Sequence, residues 1–362
     1  MTMINVTKTY LPNREKYINY VNRIYNSGWL TNNGQLVQEL ERRLAQYLGV
    51  KHLVLVSNGT LALQIAFRAL GLSGDAITTP FSFVATTSSL VWEGLNPVFT
   101  DIDPNTYNMD PGKIESKITD NTSAIVPVHV FGNCCDVEEI DRIAKKHSLR
   151  VVYDAAHAFG VKYKDRSIAE FGDISTFSFH STKIFHTIEG GGIATNDEEL
   201  YKKCKLLINF GIPGPDRIIA LGINAKMNEF QAAMGLCMLD EMEQILENRK
   251  RVYERYTEGF SGVPSVQLQQ TNNDATRNYS YFPVVFKSED ILLDVSGSLK
   301  VQDITPRRYF YPSLEELPYL RDKQLVPVSS DISKRILCLP IFESLPEDKQ
   351  AVIIKTVIER AG

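Results

Sequence analysis

The chain has 362 residues, of which 43% are apolar, so it is long enough to form more than one hydrophobic core. Its 39 Lys and Arg residues nearly balance its 43 Asp and Glu residues, the formal net charge is −4, and no long basic run is present to follow a nucleic-acid backbone. We find neither a secretory signal pattern nor a stretch of about 20 apolar residues, so we expect a cytoplasmic protein that binds neither nucleic acid nor membrane.

Cysteine and histidine spacing argues against disulfide and metal chemistry. The five cysteines form no C-x-x-C pair, and the six histidines show no H-E-x-x-H spacing. We therefore expect reduced thiols and no metal site.

The first part of the chain alternates helical and strand patterns. Leu36, Leu40, Leu44 and Leu48 recur every four residues and predict an amphipathic helix. Apolar, β-branched runs predict strands, and helical patterns separate several of them. The predicted strands lie at about 52–57, 76–80, 97–102, 123–131, 150–157, 173–180 and 191–197.

Strands that are almost wholly apolar and alternate with helices indicate an α/β fold with a mostly parallel sheet covered on both faces. A long helical pattern follows, from residue 228 to about 256, and a proline-punctuated segment of different texture comes after it. We expect a large domain over 1–245 and a smaller α+β domain over 246–362. Ligands of such sheets bind beyond the carboxyl ends of the strands.

Three polar clusters follow predicted strands. Asn58, Gly59 and Thr60 stand at a strand-to-helix turn, where free N–H groups and the helix dipole favour a phosphate, although any such turn favours Gly and Thr. Asp154 ends an apolar strand, where it needs a polar partner or serves as the N-cap of the next helix. Lys183 follows hydroxyl residues and precedes a Gly-rich turn, and its alternative is a solvated loop lysine.

Together these clusters match the parts of a pyridoxal phosphate site. The phosphate cradle would anchor the cofactor, the strand-end carboxylate would face the ring nitrogen, and the lysine, 29 residues further on, would bind the cofactor covalently. The chain contains no G-x-G-x-x-G fingerprint for NAD.

Six ordered segments carry a resemblance to a known family: SGWLTNNGQLVQELE, VSNGTLALQIAFRALG, TTPFSFVATTSSLVWEG, VYDAAHAFG, FSFHSTKIFHTIEGGGIATND and GINAKMNEFQAAMG. They closely resemble the DegT/DnrJ/EryC1/StrS sugar-nucleotide aminotransferases. The resemblance implies fold type I, with a mostly parallel seven-stranded sheet and a smaller α+β C-terminal domain.

The resemblance also implies roles for the cofactor-binding residues. Lys183 would hold pyridoxal phosphate and move a proton during transfer, and Asp154 would pair with the protonated ring nitrogen. Asn58, Gly59, Thr60 and Ser178 would hold the phosphate. Phe83 would lie against the ring, with Phe81 as an alternative, and His157 would lie near the phenolic oxygen. Asn224 would reach the cofactor phosphate of a neighbouring subunit, which predicts a homodimer with shared active sites.

On the substrate side, the resemblance implies contacts from Trp29, His186, Tyr309 and Tyr311. The segment RRYFYPSLEEL lacks the histidine that usually follows its prolines in relatives, since Ser313 and Leu314 stand there. The acceptor contacts therefore stay open.

The expected reaction moves an amino group from L-glutamate to a nucleotide-linked keto-sugar. We favour dTDP-4-keto-6-deoxy-D-glucose, whose 4-amino product would feed O-antigen or other lipopolysaccharide synthesis. A 3-keto sugar is the nearest alternative, and a sugar dehydrase or lyase on the same fold is another. In the dehydrase branch a histidine replaces this lysine, whereas residue 183 of this chain is Lys. A noncatalytic sugar-nucleotide binding module is disfavoured because Asp154, Ser178 and Lys183 are present together.

Overall fold

The computed structural model describes residues 3–320 and 322–362. Its α-helices are α1 (Arg14–Ser27), α2 (Gln35–Tyr47), α3 (Gly59–Leu70), α4 (Val84–Trp92), α5 (Val137–His147), α6 (Glu198–Leu207), α7 (Glu229–Asp240), α8 (Met242–Gly259), α9 (Glu289–Lys300), α10 (Pro327–Arg335) and α11 (Glu347–Ala361). Within these residues, no helix has both the length and the apolar character required to cross a membrane.

The strands are β1 (Ile4–Asn5), β2 (His52–Val56), β3 (Asp75–Thr78), β4 (Asn96–Phe99), β5 (Thr122–Val126), β6 (Arg150–Asp154), β7 (Lys162–Tyr163), β8 (Arg166–Ser167), β9 (Ile174–Ser178), β10 (Gly191–Thr195), β11 (Val266–Leu268), β12 (Phe282–Phe286), β13 (Ile304–Thr305) and β14 (Ile336–Leu339).

The central sheet has seven strands in the order β2-β10-β9-β6-β5-β3-β4. The β9-β6-β5-β3-β4 neighbours are parallel, whereas β10 runs antiparallel to both β2 and β9. The predicted α/β fold with a mostly parallel seven-stranded sheet is confirmed.

Alternation along the strands shows that both faces of this sheet are covered. Leu53 and Leu55 of β2 join one buried cluster with α2, whereas Val54 and Val56 join another with α3. Successive side chains of a strand point to opposite faces, so a run that is apolar at every position is required here. Parallel pairing then brings the carboxyl ends of β5, β6 and β9 to one edge of the sheet.

The C-terminal part forms a second, smaller unit. Strands β11, β12 and β14 make an antiparallel sheet, and its apolar side chains pack with α8, α9 and α11. Ile245 belongs to the large core and Val252 to the smaller one, so the division that we propose near residue 245 falls within α8. Strand β1 pairs with β13, which joins the N-terminal residues to this C-terminal unit.

The structure divides the long helical pattern of residues 228–256 into α7 and α8, so the expectation of one continuous helix is wrong. Glu241 leaves helical geometry, with φ −111° and ψ 5°. Its carboxylate accepts hydrogen bonds from the Tyr10 hydroxyl (2.6 Å) and the Asn13 backbone N–H (3.1 Å). The apolar pattern continues across the break because both helices bury apolar side chains, whereas the groups that hold Glu241 at the break come from residues near the N-terminus.

Candidate active site

A cavity of about 290 Å³ lies at the carboxyl ends of the central strands and is closed on one side by the C-terminal unit. The predicted site residues that line it are Asn58, Gly59, Thr60, Phe83, Asp154, His157, Ser178, Lys183 and Tyr309. The sheet thus brings together residues from distant parts of the sequence, at the edge where ligands of such sheets bind.

One end of the cavity is the start of α3. The Asn58 side chain accepts the hydrogen bond of the Leu61 N–H (2.9 Å), and the Asn58 carbonyl accepts that of Ala62 (3.2 Å). Helix geometry leaves the N–H groups of Gly59 and Thr60 without partners inside the helix. A Cβ on Gly59 would come within 2.8 Å of the Ser178 Cβ, so glycine keeps this space open. Free N–H groups at a helix start suit a phosphate.

Asp154 lies at the end of β6 and is buried. Its Oδ2 accepts a hydrogen bond from the Thr86 hydroxyl (2.7 Å), and its Oδ1 accepts one from the Ala156 N–H (3.1 Å). Desolvation raises the pKa of Asp154, while both donors and the Lys183 charge oppose that rise. The arrangement places a buried carboxylate, held by two donors, on the cavity wall.

Lys183 follows β9, and its Nζ donates to the Tyr281 hydroxyl at 3.3 Å. Desolvation lowers the pKa of Lys183 to about 8, and the attraction of Asp154 acts in the opposite direction. An amine with this pKa is partly neutral near pH 7, so it can act as a nucleophile or exchange a proton.

His157 is buried between the sheet and the C-terminal unit, and its ring is nearly parallel to that of Phe310 at 5.6 Å. Its Nδ1 accepts a hydrogen bond from the Phe131 N–H (3.3 Å). Since a backbone N–H can only donate, the ring proton of neutral His157 must lie on Nε2. Burial, helped by the Lys183 charge, lowers the pKa of His157 well below its usual value. His157 is therefore a neutral donor at the cavity.

Packing distinguishes the two phenylalanines that the sequence left as alternatives. Phe83 lines the cavity and is half-exposed. Phe81 is fully buried and packs against Tyr107, Phe131 and Phe310. Phe83 is thus the residue available to cover a ring in the cavity.

Four predicted residues lie outside the cavity lining. Trp29 and Tyr311 are about half-exposed, and Asn224 is exposed on the loop between α6 and α7. His186 is buried, its Nε2 lies 2.8 Å from the Tyr10 carbonyl oxygen, and its Nδ1 accepts from the Ile188 N–H. Within this chain His186 is thus held by backbone groups, and its substrate contact stays a prediction.

The cavity also contains residues that were not among the predicted site residues. Thr86 holds Asp154, while His180 and Glu189 form a pair at 3.3 Å beside the Gly-rich turn. Tyr281 and Arg307 come from the C-terminal unit. Thr86 lies in a segment that carried the resemblance, but no local pattern indicates that Tyr281 or Arg307 reaches this cavity.

These groups fit pyridoxal phosphate. The free N–H groups at the start of α3 suit its phosphate, and the small space beside Gly59 gives that phosphate room. A buried carboxylate suits a protonated ring nitrogen, and an amine with a pKa of about 8 suits a carbonyl carbon.

Comparisons with known proteins agree with this geometry. The model of the DegT/DnrJ/EryC1/StrS aminotransferase family matches residues 12–358. The chain is 42% identical over 361 residues to dTDP-4-amino-4,6-dideoxy-D-glucose transaminase of Shigella dysenteriae, covering 98% of both chains. The Escherichia coli enzyme of the same name is 39% identical over 366 residues, with 98% of both covered. The crystal structure of DesI in the presence of its TDP-sugar product has a TM-score of 0.95 and 34% identity, covering 100% of this chain and 93% of that one.

Proposed function

The chain belongs to the DegT/DnrJ/EryC1/StrS aminotransferase family, and we propose that it moves the amino group of L-glutamate to C4 of dTDP-4-keto-6-deoxy-D-glucose. Pyridoxal phosphate is the cofactor of the family. The observation that carries the proposal is a single cavity that combines Lys183, Asp154 and the phosphate cradle. The sugar and the carbon are proposed from the two transaminase relatives, whose shared name contains dTDP-4-amino-4,6-dideoxy-D-glucose, the amino sugar that this transfer would form.

Each part of the cavity has its own task in holding the cofactor. The N–H groups of Gly59 and Thr60 would bind the phosphate together with Ser178, and Asp154 would hold the ring nitrogen. Phe83 would cover one ring face, while the Nε2–H of His157 would donate to the phenolic oxygen. These contacts would hold the ring beside Lys183.

When bound, pyridoxal phosphate supplies an electron-accepting ring that stabilises negative charge on the carbon that carries the amino group. Asp154 keeps the ring nitrogen protonated and so maintains this capacity. Lys183 Nζ would move a proton between its own nitrogen and the substrate carbon that carries the amino group. A pKa of about 8 lets it accept and release that proton near neutral pH.

We propose a homodimer, because the loop between α6 and α7 presents apolar side chains to solvent beside Asn224. Ile218, Leu221 and Phe210 are between about half and three-quarters exposed. Such a cluster is costly in water and is typical of a surface that another chain covers. A second copy would bury it and would bring Asn224 to the neighbouring cofactor phosphate.

We also propose that the enzyme acts in the cytoplasm. All five cysteines are free and buried, including the adjacent Cys134 and Cys135. Reduced thiols are typical of that compartment.

The proposed reaction can be tested with purified protein, pyridoxal phosphate, L-glutamate labelled with ¹⁵N, and dTDP-4-keto-6-deoxy-D-glucose. We expect 2-oxoglutarate and a sugar with ¹⁵N at C4, identified by NMR. The Lys183→Ala variant should form neither product and serves as the control.

Other outcomes separate the alternatives. Transfer only to a 3-keto sugar nucleotide would replace the proposed acceptor. Loss of a hydroxyl without release of 2-oxoglutarate would indicate a dehydrase. Binding of sugar nucleotide without transfer to any keto-sugar would contradict the aminotransferase proposal.

A further inference from the structure

Arg307 occupies the wall of the active-site cavity that the C-terminal unit supplies. Its backbone is fixed by two hydrogen bonds with Cys338, Arg307 N to Cys338 O (3.1 Å) and Cys338 N to Arg307 O (2.8 Å). The guanidinium lies over the Tyr309 ring, 4.7 Å from its centre. The backbone of Arg307 is therefore held in place, and its side chain extends across the face of the Tyr309 ring.

The guanidinium of Arg307 is uncompensated within the described part of the chain. No carboxylate oxygen there lies within 4.0 Å of it, and it makes no hydrogen bond. The adjacent Arg308 is different, because it binds Glu289 (2.6 Å) and the Lys334 carbonyl oxygen (2.9 Å). The two neighbouring arginines thus differ: Arg308 is held by protein partners, whereas Arg307 is exposed, lines the cavity and has no hydrogen-bond partner for its five donors within the described residues.

Arg307 lies close to the reacting centre. Lys183 Nζ is bonded to the Tyr281 hydroxyl at 3.3 Å, and the ring of Tyr281 is 5.6 Å from that of Tyr309, on which Arg307 stacks. Its charge also opposes the rise that burial causes in the pKa of Tyr281 and Tyr309. Two tyrosines therefore separate the guanidinium from the reactive amine.

The other basic groups of the cavity already have tasks. Lys183 is the reactive amine, His157 is neutral, and His180 faces Glu189. The free N–H groups at the start of α3 lie beside Ser178 and suit the cofactor phosphate. Both proposed substrates bring further negative charge, as carboxylates on glutamate or as the diphosphate of the sugar nucleotide, and Arg307 is the lining cation left to receive it.

We propose that Arg307 is a specificity-determining residue that binds a substrate oxyanion through both arms of its guanidinium. The inference rests on the proposed function and deepens it. A carboxylate and a diphosphate offer the same chemistry, two oxygens spaced for a planar guanidinium. The donor carboxylate and the nucleotide diphosphate are the two sources that the experiment distinguishes.

The test measures equilibrium binding of two unreactive probes to the holoenzyme by calorimetry. Glutarate represents the donor carboxylates, and dTDP represents the nucleotide diphosphate. We compare wild type, Arg307→Met, Arg307→Lys and the matched control Arg308→Met, which removes the same charge one residue away. Thermal unfolding of each variant checks that it is folded, and Arg307→Lys keeps a charged group at the site should Arg307→Met fail to fold.

Loss of a charged, two-fold hydrogen bond should weaken binding of at least one probe by about ten- to a hundred-fold in Arg307→Met. A loss confined to glutarate identifies the donor carboxylate, a loss confined to dTDP identifies the diphosphate, and a loss of both identifies a shared anchor. Arg307→Lys should also lose affinity, because an ammonium cannot make two parallel bonds. In the transfer assay, KM for the same substrate should rise with little change in kcat.

Unchanged binding of both probes in Arg307→Met would overturn the inference. An equal loss of affinity in Arg308→Met would also overturn it, because it would indicate a general electrostatic effect of positive charge rather than a direct contact. Full affinity in Arg307→Lys would overturn two-armed recognition. Failure of the proposed function is distinguishable, because wild-type protein would then bind the probes in an Arg307-dependent manner without transferring nitrogen to the sugar.

Discussion

The Thr86 hydroxyl donates a 2.7 Å hydrogen bond to Oδ2 of Asp154, and both side chains are buried. Ser82 Oγ lies 2.8 Å from the same Thr86 oxygen, so a short hydroxyl chain supports the carboxylate. Burial favours the neutral form of Asp154, whereas donated hydrogen bonds favour the charged form. Thr86 therefore helps to keep Asp154 ionised and in place for a ring nitrogen.

Replacing Thr86 with Val, which has nearly the same shape, should weaken pyridoxal phosphate binding. Loss of a hydrogen bond to a charged group costs about 1.5–3 kcal/mol, equal to roughly ten-fold or more in the dissociation constant. Cofactor binding to the apoprotein, followed by fluorescence, measures the change. Thr86→Ser keeps the hydroxyl and should restore most of the affinity. Equal affinity in the Val variant would show that Asp154 does not need this donor.

The depressed pKa of Lys183 predicts how the apoprotein takes up its cofactor. Only the neutral amine attacks a carbonyl, and the pKa of about 8 lies below the ordinary 10.5 because burial disfavours the charged form. The uptake rate should therefore level off above pH 8 and fall about ten-fold per unit below it. A rate that keeps rising beyond pH 10 would contradict the depressed pKa.

Asp154 tunes this amine, and its removal has a defined sign. The Asp154 charge attracts the ammonium form and raises the pKa of Lys183, against the larger lowering by burial. In Asp154→Asn the pKa of Lys183 should therefore fall further. Reductive methylation of the apoprotein with labelled formaldehyde, followed by NMR over a pH series, reports the pKa directly. An upward shift would mean that the two groups do not interact in this way.

The sequence was most informative where a chemical group ends a regular element. Asp154 closes an apolar strand, and Gly59 opens a helix directly after one, so their positions at the sheet edge could be predicted from the local pattern. Phe81 and Phe83 could not be distinguished, because only packing determines which ring enters the core. Tyr281 and Arg307 are about a hundred residues or more from Lys183 in sequence, and their approach depends on how the C-terminal unit closes the cavity.

His186 shows that spacing along the chain does not determine where a side chain lies. It stands three residues after Lys183, which suggested a substrate contact, yet the turn directs its ring to the Tyr10 carbonyl oxygen. The break between α7 and α8 was also invisible in the periodicity, because Glu241 is held by residues near the N-terminus.

The tautomer of His157 predicts how substitutions at this position act. Glutamine keeps a neutral N–H donor, whereas leucine keeps apolar bulk without a donor. His157→Gln should retain the absorbance spectrum of the bound cofactor. In His157→Leu, the pH at which this spectrum changes, which reports protonation of the bound cofactor, should shift toward neutral. In wild type, ¹⁵N NMR of labelled histidine should show Nε2 protonated and no titration of His157 near pH 6.5, because burial lowers its pKa well below the usual value. A titration of His157 near pH 6.5 would contradict the buried neutral ring.

Gly59 and Gly297 offer a matched pair of glycine-to-alanine variants for the phosphate cradle. A Cβ on Gly59 would lie 2.8 Å from Ser178 Cβ and would reduce the space for a phosphate at the start of α3. A Cβ on Gly297, within α9, would meet no atom within 4 Å. Gly59→Ala should bind pyridoxal phosphate more weakly, with the largest loss for the phosphate-bearing cofactor and a small one for pyridoxal. Gly297→Ala should bind it as wild type does and raise the free energy of unfolding by about 0.5–1 kcal/mol, because alanine favours a helix interior. The two variants are compared by cofactor titration and by denaturant unfolding. An equal loss of pyridoxal and pyridoxal phosphate in Gly59→Ala would place the phosphate away from the start of α3.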